Sequence, residues 1–215
     1  MFNQICVIVM EVKEVINEIM DRTFDVLKSI YANQKEGKDY PKGRNGSRLI
    51  FPHYSTLHRN GETRISEQEL RFLFVEQFNA YCEANKLMWY YSVETPTEYK
   101  YVFTDKDNPH KDDENGQSAM VDLCIHNEKL GRIALVEFKA LNPDEFCYNK
   151  DFCKLDAEKE SKPELETFFI MMVKKSDTRT YGNIRRKIEN KGEHTVFRCY
   201  DLEAGEEITS KIEKS

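Results

Sequence analysis

The sequence predicts an α/β fold: a central mixed β-sheet flanked by helices, in the order helix, a run of antiparallel strands, helix, strand, helix, strand, with one extra helix at the N-terminus. Three observations carry this. Helical periodicity marks residues 12–31 and a segment opening at Ser66. Apolar runs of strand length then cluster between residues 87 and 141. From Pro143 onward, helical and strand-like segments alternate. A chain of 215 residues that is 40% hydrophobic holds enough apolar material for one real core. Its 33% charged residues predict a well-solvated exterior. The expected division is a helical extension and loop over 1–45 and a main domain over 46–215.

The apolar run Ile5–Met10 is too short to span a membrane. No basic residue precedes it and no small-residue cleavage site follows, so a packed segment is expected rather than a signal peptide. Val12, Val15, Ile16, Ile19, Met20, Phe24, Leu27, Ile30 and Tyr31 recur at helical spacing and predict an amphipathic helix. QKEGKDYPKGRNGS is polar and broken by Gly and Pro, hence a loop. Ser66 and Glu69 form an S-x-x-E capping box ahead of LRFLFVEQFNAYCEA, a second helix. Two strands are expected at 87–94 and 98–103, with a turn at Thr95-Pro96. SAMVDLCIH (118–126) and RIALVEFKAL (132–141) read as a strand pair joined by a turn through Asn127–Gly131. A helix after Pro143, a strand through FFIMMV, a helix at TYGNIRRKIENK and a strand at HTVFRCYDL complete the pattern.

Composition narrows the function classes. The net charge of −6 gives no global basic signature, so a nucleic-acid partner would need a local patch. Six cysteines lie scattered at 6, 82, 124, 147, 153 and 199, with no CxxC pair. That pattern predicts reduced, partly buried thiols in a cytoplasmic protein, not a disulfide framework or a zinc site. No membrane association is expected.

The chemistry-bearing feature is the strand RIALVEFKAL. A buried sheet strand accepts charges only where they are paired or hold a metal, because each unpaired burial costs several kcal/mol. Alternation places Ile133, Leu135, Glu137 and Lys139 on one face and Val136, Phe138 and Ala140 on the other. In the preceding strand Asp122 shares a face with Met120 and Cys124. A hairpin of the two strands brings Asp122, Glu137 and Lys139 together. Two carboxylates side by side repel unless a divalent cation lies between them, and Mg²⁺ takes such oxygen ligands. An adjacent ammonium suits developing phosphate charge, so the set suits phosphodiester hydrolysis. E-x-K alone is weak: it recurs at Glu11, Glu36, Glu98, Glu160 and Glu189. Only the copy at Glu137 lies in an apolar strand preceded by an Asp-bearing strand.

Asp122 in MVDLCIH and Glu137-Phe138-Lys139 in VEFKA resemble the PD-(D/E)xK nuclease superfamily, with its restriction-endonuclease-like fold. Val121 stands where the motif's proline would be. The resemblance spans roughly Ser66 to Tyr200. It implies that Asp122, Glu137 and the carbonyl of Phe138 bind Mg²⁺ (or Mn²⁺), and that Lys139 positions the attacking water. It also implies an acid on the preceding helix. Glu67 fits, since it shares the face of Leu70, Phe74, Phe78 and Tyr81, whereas Glu69 is taken by the capping box. Lys154 resembles family positions that approach the active site or the phosphate backbone. The chemistry implied is metal-dependent hydrolysis that leaves 5′-phosphate and 3′-hydroxyl ends.

Lys174, Lys175, Arg179, Arg185, Arg186, Lys187 and Lys191 form the most basic stretch, with only Asp177 and Glu189 against them. It is the expected nucleic-acid contact. A smaller cluster, Lys42, Arg44 and Arg48, lies in the Gly-rich loop; His53 and His58 read as structural. DNA is expected ahead of RNA, and a homodimer is compatible with the sequence. The rival class is a catalytically inactive nucleic-acid-binding or protein-interaction module on the same fold.

Overall fold

The computed structural model describes residues 11–35, 47–57, 61–104, 109–189 and 191–215. The chain is α/β, with a mixed sheet of seven strands among the described residues, covered by helices on both faces. Helices α1 (Val12–Lys35) and α2 (Glu67–Asn85) precede strands β1 (Tyr90–Val102), β2 (His110–Lys111), β3 (Gln117–His126) and β4 (Arg132–Ala140). Helix α3 (Glu145–Ser161), strand β5 (Glu166–Val173), helix α4 (Thr178–Ile188) and strand β6 (Thr195–Asp201) follow. A two-residue strand β7 (Glu206–Glu207) and the short helix α5 (Thr209–Glu213) close the chain. The spatial order is β2-β1-β3-β4-β5-β6-β7. β1, β3 and β4 are antiparallel, β4, β5 and β6 parallel, and β7 antiparallel to β6.

Alternate residues of the central strands feed two separate cores. Val136, Phe138, Phe168, Ile170 and Met172 pack beneath α1 and α2. Leu135, Phe169, Met171 and Cys199 pack beneath α3, α4 and α5. β5 is apolar on both sides because helices cover both its faces, as parallel strands require. α1 enters the same core as α2: Ile16, Ile19 and Leu27 are fully buried there, and Phe24 stacks on Tyr200 of β6 at 4.8 Å. The 1–45 and 46–215 division of the chain therefore does not separate two cores. α2 starts at its expected cap, where the Ser66 amide donates to Glu69 Oε2 at 2.7 Å.

The structure departs from the sequence reading in three places. The turn at Thr95-Pro96 does not form; β1 runs unbroken through it, with a register shift between Pro96 and Lys100 and positive φ (45°) at Glu94. Proline is tolerated because β1 is an edge strand over most of its length, with β2 covering only Tyr101 and Val102. Ile133 leaves the Leu135 face for the α1/α2 side. It is the extra residue of a bulge, since His126 pairs with Arg132 and Ile125 with Ala134. β7 and α5 had no sequence signal, being too short to show a period, yet Ile208 and Ile212 are fully buried.

No helix among the described residues is long and apolar enough to cross a membrane. Cys82, Cys124, Cys147, Cys153 and Cys199 are free thiols, the first two and the last buried. Burial pushes the Cys124 thiol up to about 11.

Candidate active site

The candidate site forms where β3 parts from β4. Their pairing runs Ile125–Ala134, Cys124–Leu135, Leu123–Val136, and there it ends. One residue further, the Asp122 side chain replaces the backbone: its Oδ2 accepts the Phe138 amide at 2.8 Å. This fixes the Asp122 carboxylate against the backbone of β4 at Phe138, the residue between Glu137 and Lys139. Asp122 is partly exposed, whereas Glu137 is only 2% exposed.

Glu67 in the first turn of α2 reaches the same place. Its carboxylate lies 3.8 Å from Lys139 Nζ and takes the Ala140 amide. The four residues that the motif singles out, Glu67, Asp122, Glu137 and Lys139, thus converge from three elements.

α3 supplies two more charges. Asp151 Oδ2 pairs with Lys139 Nζ at 2.6 Å, and Asp151 Oδ1 with Lys154 Nζ at 2.8 Å. Lys154 also pairs with Glu137 Oε1 and donates to the Met120 carbonyl at 2.8 Å. Lys154 was expected to approach the active site or to contact the phosphate backbone, and it lies at the first of these. It is 3% exposed and its three donors are committed, so it cannot reach a phosphate. Its role is to hold Glu137 and Asp151. Sequence reasoning passed over Asp151. The available signal was spacing: Tyr148, Phe152 and Leu155 mark the buried stripe of α3, and Asp151 and Lys154 fall beside it, three apart.

The electrostatics follow from this crowding. Burial, with repulsion from Asp151 and Asp122, raises the Glu137 carboxyl well above the glutamate range, against the pull of Lys154 and Lys139. Burial also raises Glu67, again with Asp122 and Asp151 adding to it and Lys139 opposing. Asp151 is likewise desolvated, yet Lys154 and Lys139 outweigh that and hold it low. Lys139 is raised: burial would lower it, but Asp151, Glu137 and Glu67 prevail. Four carboxylates meet two ammonium groups, an excess of two formal negative charges. Among the described residues, no group of three or more His, Cys, Asp or Glu side chains is already disposed around a common cation position. The Phe138 carbonyl accepts Lys139 Nζ at 3.2 Å.

Immediately past Lys139, Leu141 and Asn142 both adopt positive φ, 64° and 54°. Each such non-glycine residue costs about 1–3 kcal/mol, and such conformations gather at functional sites. With Val173, Lys174, Lys175 and Thr180 they line a cleft of about 270 Å³ at the ends of β4 and β5.

The basic stretch divides. Lys187 donates to Asn142 Oδ1 at 2.9 Å and to the Pro143 carbonyl, bracing the strained turn; burial lowers its pKa. Lys174 lies 3.5 Å from Glu62. Lys175, Arg179, Arg185 and Arg186 are exposed, as is Arg48. Lys42, Arg44 and His58 lie outside the described residues. His53 is structural: it bridges to Thr63 and meets the Gly61 carbonyl at 3.1 Å.

Comparison of the chain with protein-family models, with curated proteins and with solved structures gave no match.

Proposed function

We propose that this chain is a divalent-metal-dependent nuclease, acting on DNA in preference to RNA, on a restriction-endonuclease-like core. The observation that carries the reading is the convergence of Glu67, Asp122, Glu137 and Lys139 where β3 leaves β4, with two negative charges in excess. The order α2, β1, β3, β4, α3, β5, with β2 a two-residue addition, supports this reading, for which the PD-(D/E)xK resemblance implies an αβββαβ core.

The residues fit a hard dication in charge and donor type, since every donor is oxygen. Asp122, Glu137 and the Phe138 carbonyl would hold it, with Glu67 alongside. Such an ion neutralises phosphate charge and makes water more acidic. The protein's own groups set the rest. Lys139, 12% exposed and fixed by Asp151, offers its ammonium to the scissile phosphate and orients water by donating to it. Asp122, fixed by the Phe138 amide, needs no reorganisation. Glu137 is engaged by Lys154, so a cation must compete with that ion pair, and affinity for it is tuned through α3.

The same ion pair favours a second reading, an inactive binding module in which the cluster only ties α3 to the sheet. Mn²⁺ binding by calorimetry and cleavage of plasmid, single-stranded and branched DNA separate the two. The nuclease reading expects metal-dependent cleavage, reduced by about 10²-fold or more in Lys139→Ala and Asp122→Asn. Cleavage that survives both substitutions sinks the site. Wild-type protein that binds nucleic acid without cutting it supports the module.

A further inference from the structure

Most glycines of the described residues have a reason in the fold. Gly61 and Gly205 adopt positive φ, 72° and 65°. A Cβ would fall 2.3 Å from the Asp112 carbonyl at Gly116, 2.2 Å from Asp156 Oδ1 at Gly192, and 3.3 Å from the Asn127 side chain at Gly131. Gly182 has no such reason. It lies within α4, and apart from its chain neighbours and its own helix backbone no described atom stands within 4 Å of where its Cβ would be. Glycine destabilises a helix interior relative to alanine, so its presence there works against the fold.

Its neighbours show what it serves. Ile184 and Ile188 turn to the core. At 100° per residue, Arg179, Gly182 and Arg186 share the outward face, with Arg185 at its margin. All three arginines are exposed, and no acid occurs between Asp177 and Glu189. Arg179 and Arg186 are seven residues apart, about 10 Å along the axis, with the bare backbone of Gly182 between them. α4 starts five residues after β5 ends, at the end of the sheet where β4 delivers Lys139.

We propose that this face of α4 is a nucleic-acid contact, where the missing side chain at Gly182 lets a sugar-phosphate backbone close against the helix between guanidinium groups. The choice of partner rests on the nuclease reading; three cations in a chain of net charge −6 fit a polyanion. The contact reads backbone, so affinity is indifferent to base sequence. Long-range charge attraction alone has no use for a glycine. A single methyl group therefore separates docking from bulk attraction.

The full-length protein, kept in EDTA so that nothing is cut, is titrated by anisotropy with labelled duplex and single-stranded DNA and duplex RNA over a range of salt. Thermal unfolding is followed in parallel. Gly182→Ala is expected to raise Tm by about 2 °C yet weaken binding about fivefold. Arg179→Ala and Arg186→Ala should each reduce the slope of log K against log salt by about one. Undiminished affinity in Gly182→Ala overturns the proposal. A lowered Tm does so too, since the glycine would then serve the fold, as would wild-type protein that binds none of the three at low salt. Adding Mg²⁺ to the same samples isolates the nuclease reading. Binding that follows the prediction without cleavage refutes that reading and leaves the α4 contact standing. Metal-dependent cleavage with undiminished affinity in Gly182→Ala does the reverse.

Discussion

Two strands of this sheet carry a charged residue that gathers acids from neighbouring elements, and they do so to different ends. On β6, Arg198 makes a two-pronged contact to Glu207, pairs with Asp21 of α1 at 2.6 Å and donates to the Asn17 carbonyl. Its guanidinium also lies over Phe24, 5.1 Å from the ring centroid. There one cation satisfies two acids near solvent, and the Asp21 side chain is 63% exposed. Arg198 overcomes the desolvation of Glu207 and holds its pKa below the glutamate range. On β4 the shifts of two of the acids run the other way. The charges are deeper, the acids outnumber the bases by two, and Glu67 and Glu137 are pushed up. Both clusters tie helices to the sheet. Acids exceed bases in both, by one on β6 and by two on β4, but only on β4 does burial raise acids of the cluster, and strongly perturbed groups cluster at functional sites.

The largest expected effect comes from removing the shared cation of the deeper cluster. Lys154→Met leaves Glu137 and Asp151 buried without it and should cost about 3–5 kcal/mol in urea unfolding. Arg198→Met, at the shallower cluster, should cost only about 1 kcal/mol. Equal losses would break the contrast. The smallest effect sharpens it and depends on pH. Glu207 binds its proton less readily folded than unfolded, so its contribution is present above the ordinary glutamate range. It is lost as pH falls through the depressed folded value. Glu207→Gln should therefore flatten the acid side of the stability curve while matching wild type more closely at low pH. An unaltered acid limb would show that Arg198 does not stabilise the ionised form.

Much of the site was legible because strand alternation is a strict rule. Glu137 and Lys139 two apart, with Asp122 in the preceding strand, must project to one side if the strands pair. Glu67 was reachable by helical period. Helical period also sets Asp151 and Lys154 beside the buried stripe of α3, but not their partners, which sit across a helix-to-sheet interface that no local period encodes. Lys154 looks like any lysine in a charged helix; only packing shows that it is 3% exposed. The fold followed the same division. Long periodic segments such as α1, α2 and β5 announced themselves, but β1 was split at Pro96 because proline signals a turn wherever its edge position is unknown. β7 and α5, two and five residues long, depend on the strand they pack against.

The bend in β1 bears on how the protein behaves in a crowd. From Tyr90 to Thr97 the outer rim of this strand pairs with no other strand among the described residues, and Tyr90, Tyr91 and Val93 are exposed along it. Such a rim is a template for stacking one copy on the next. Positive φ at Glu94 distorts it, Pro96 withholds an N–H, and the Glu98 and Lys100 amides are claimed by the Glu158 and Asp113 carboxylates. The irregularity that misled the reading of the sequence thus blunts the edge against pairing with a second copy.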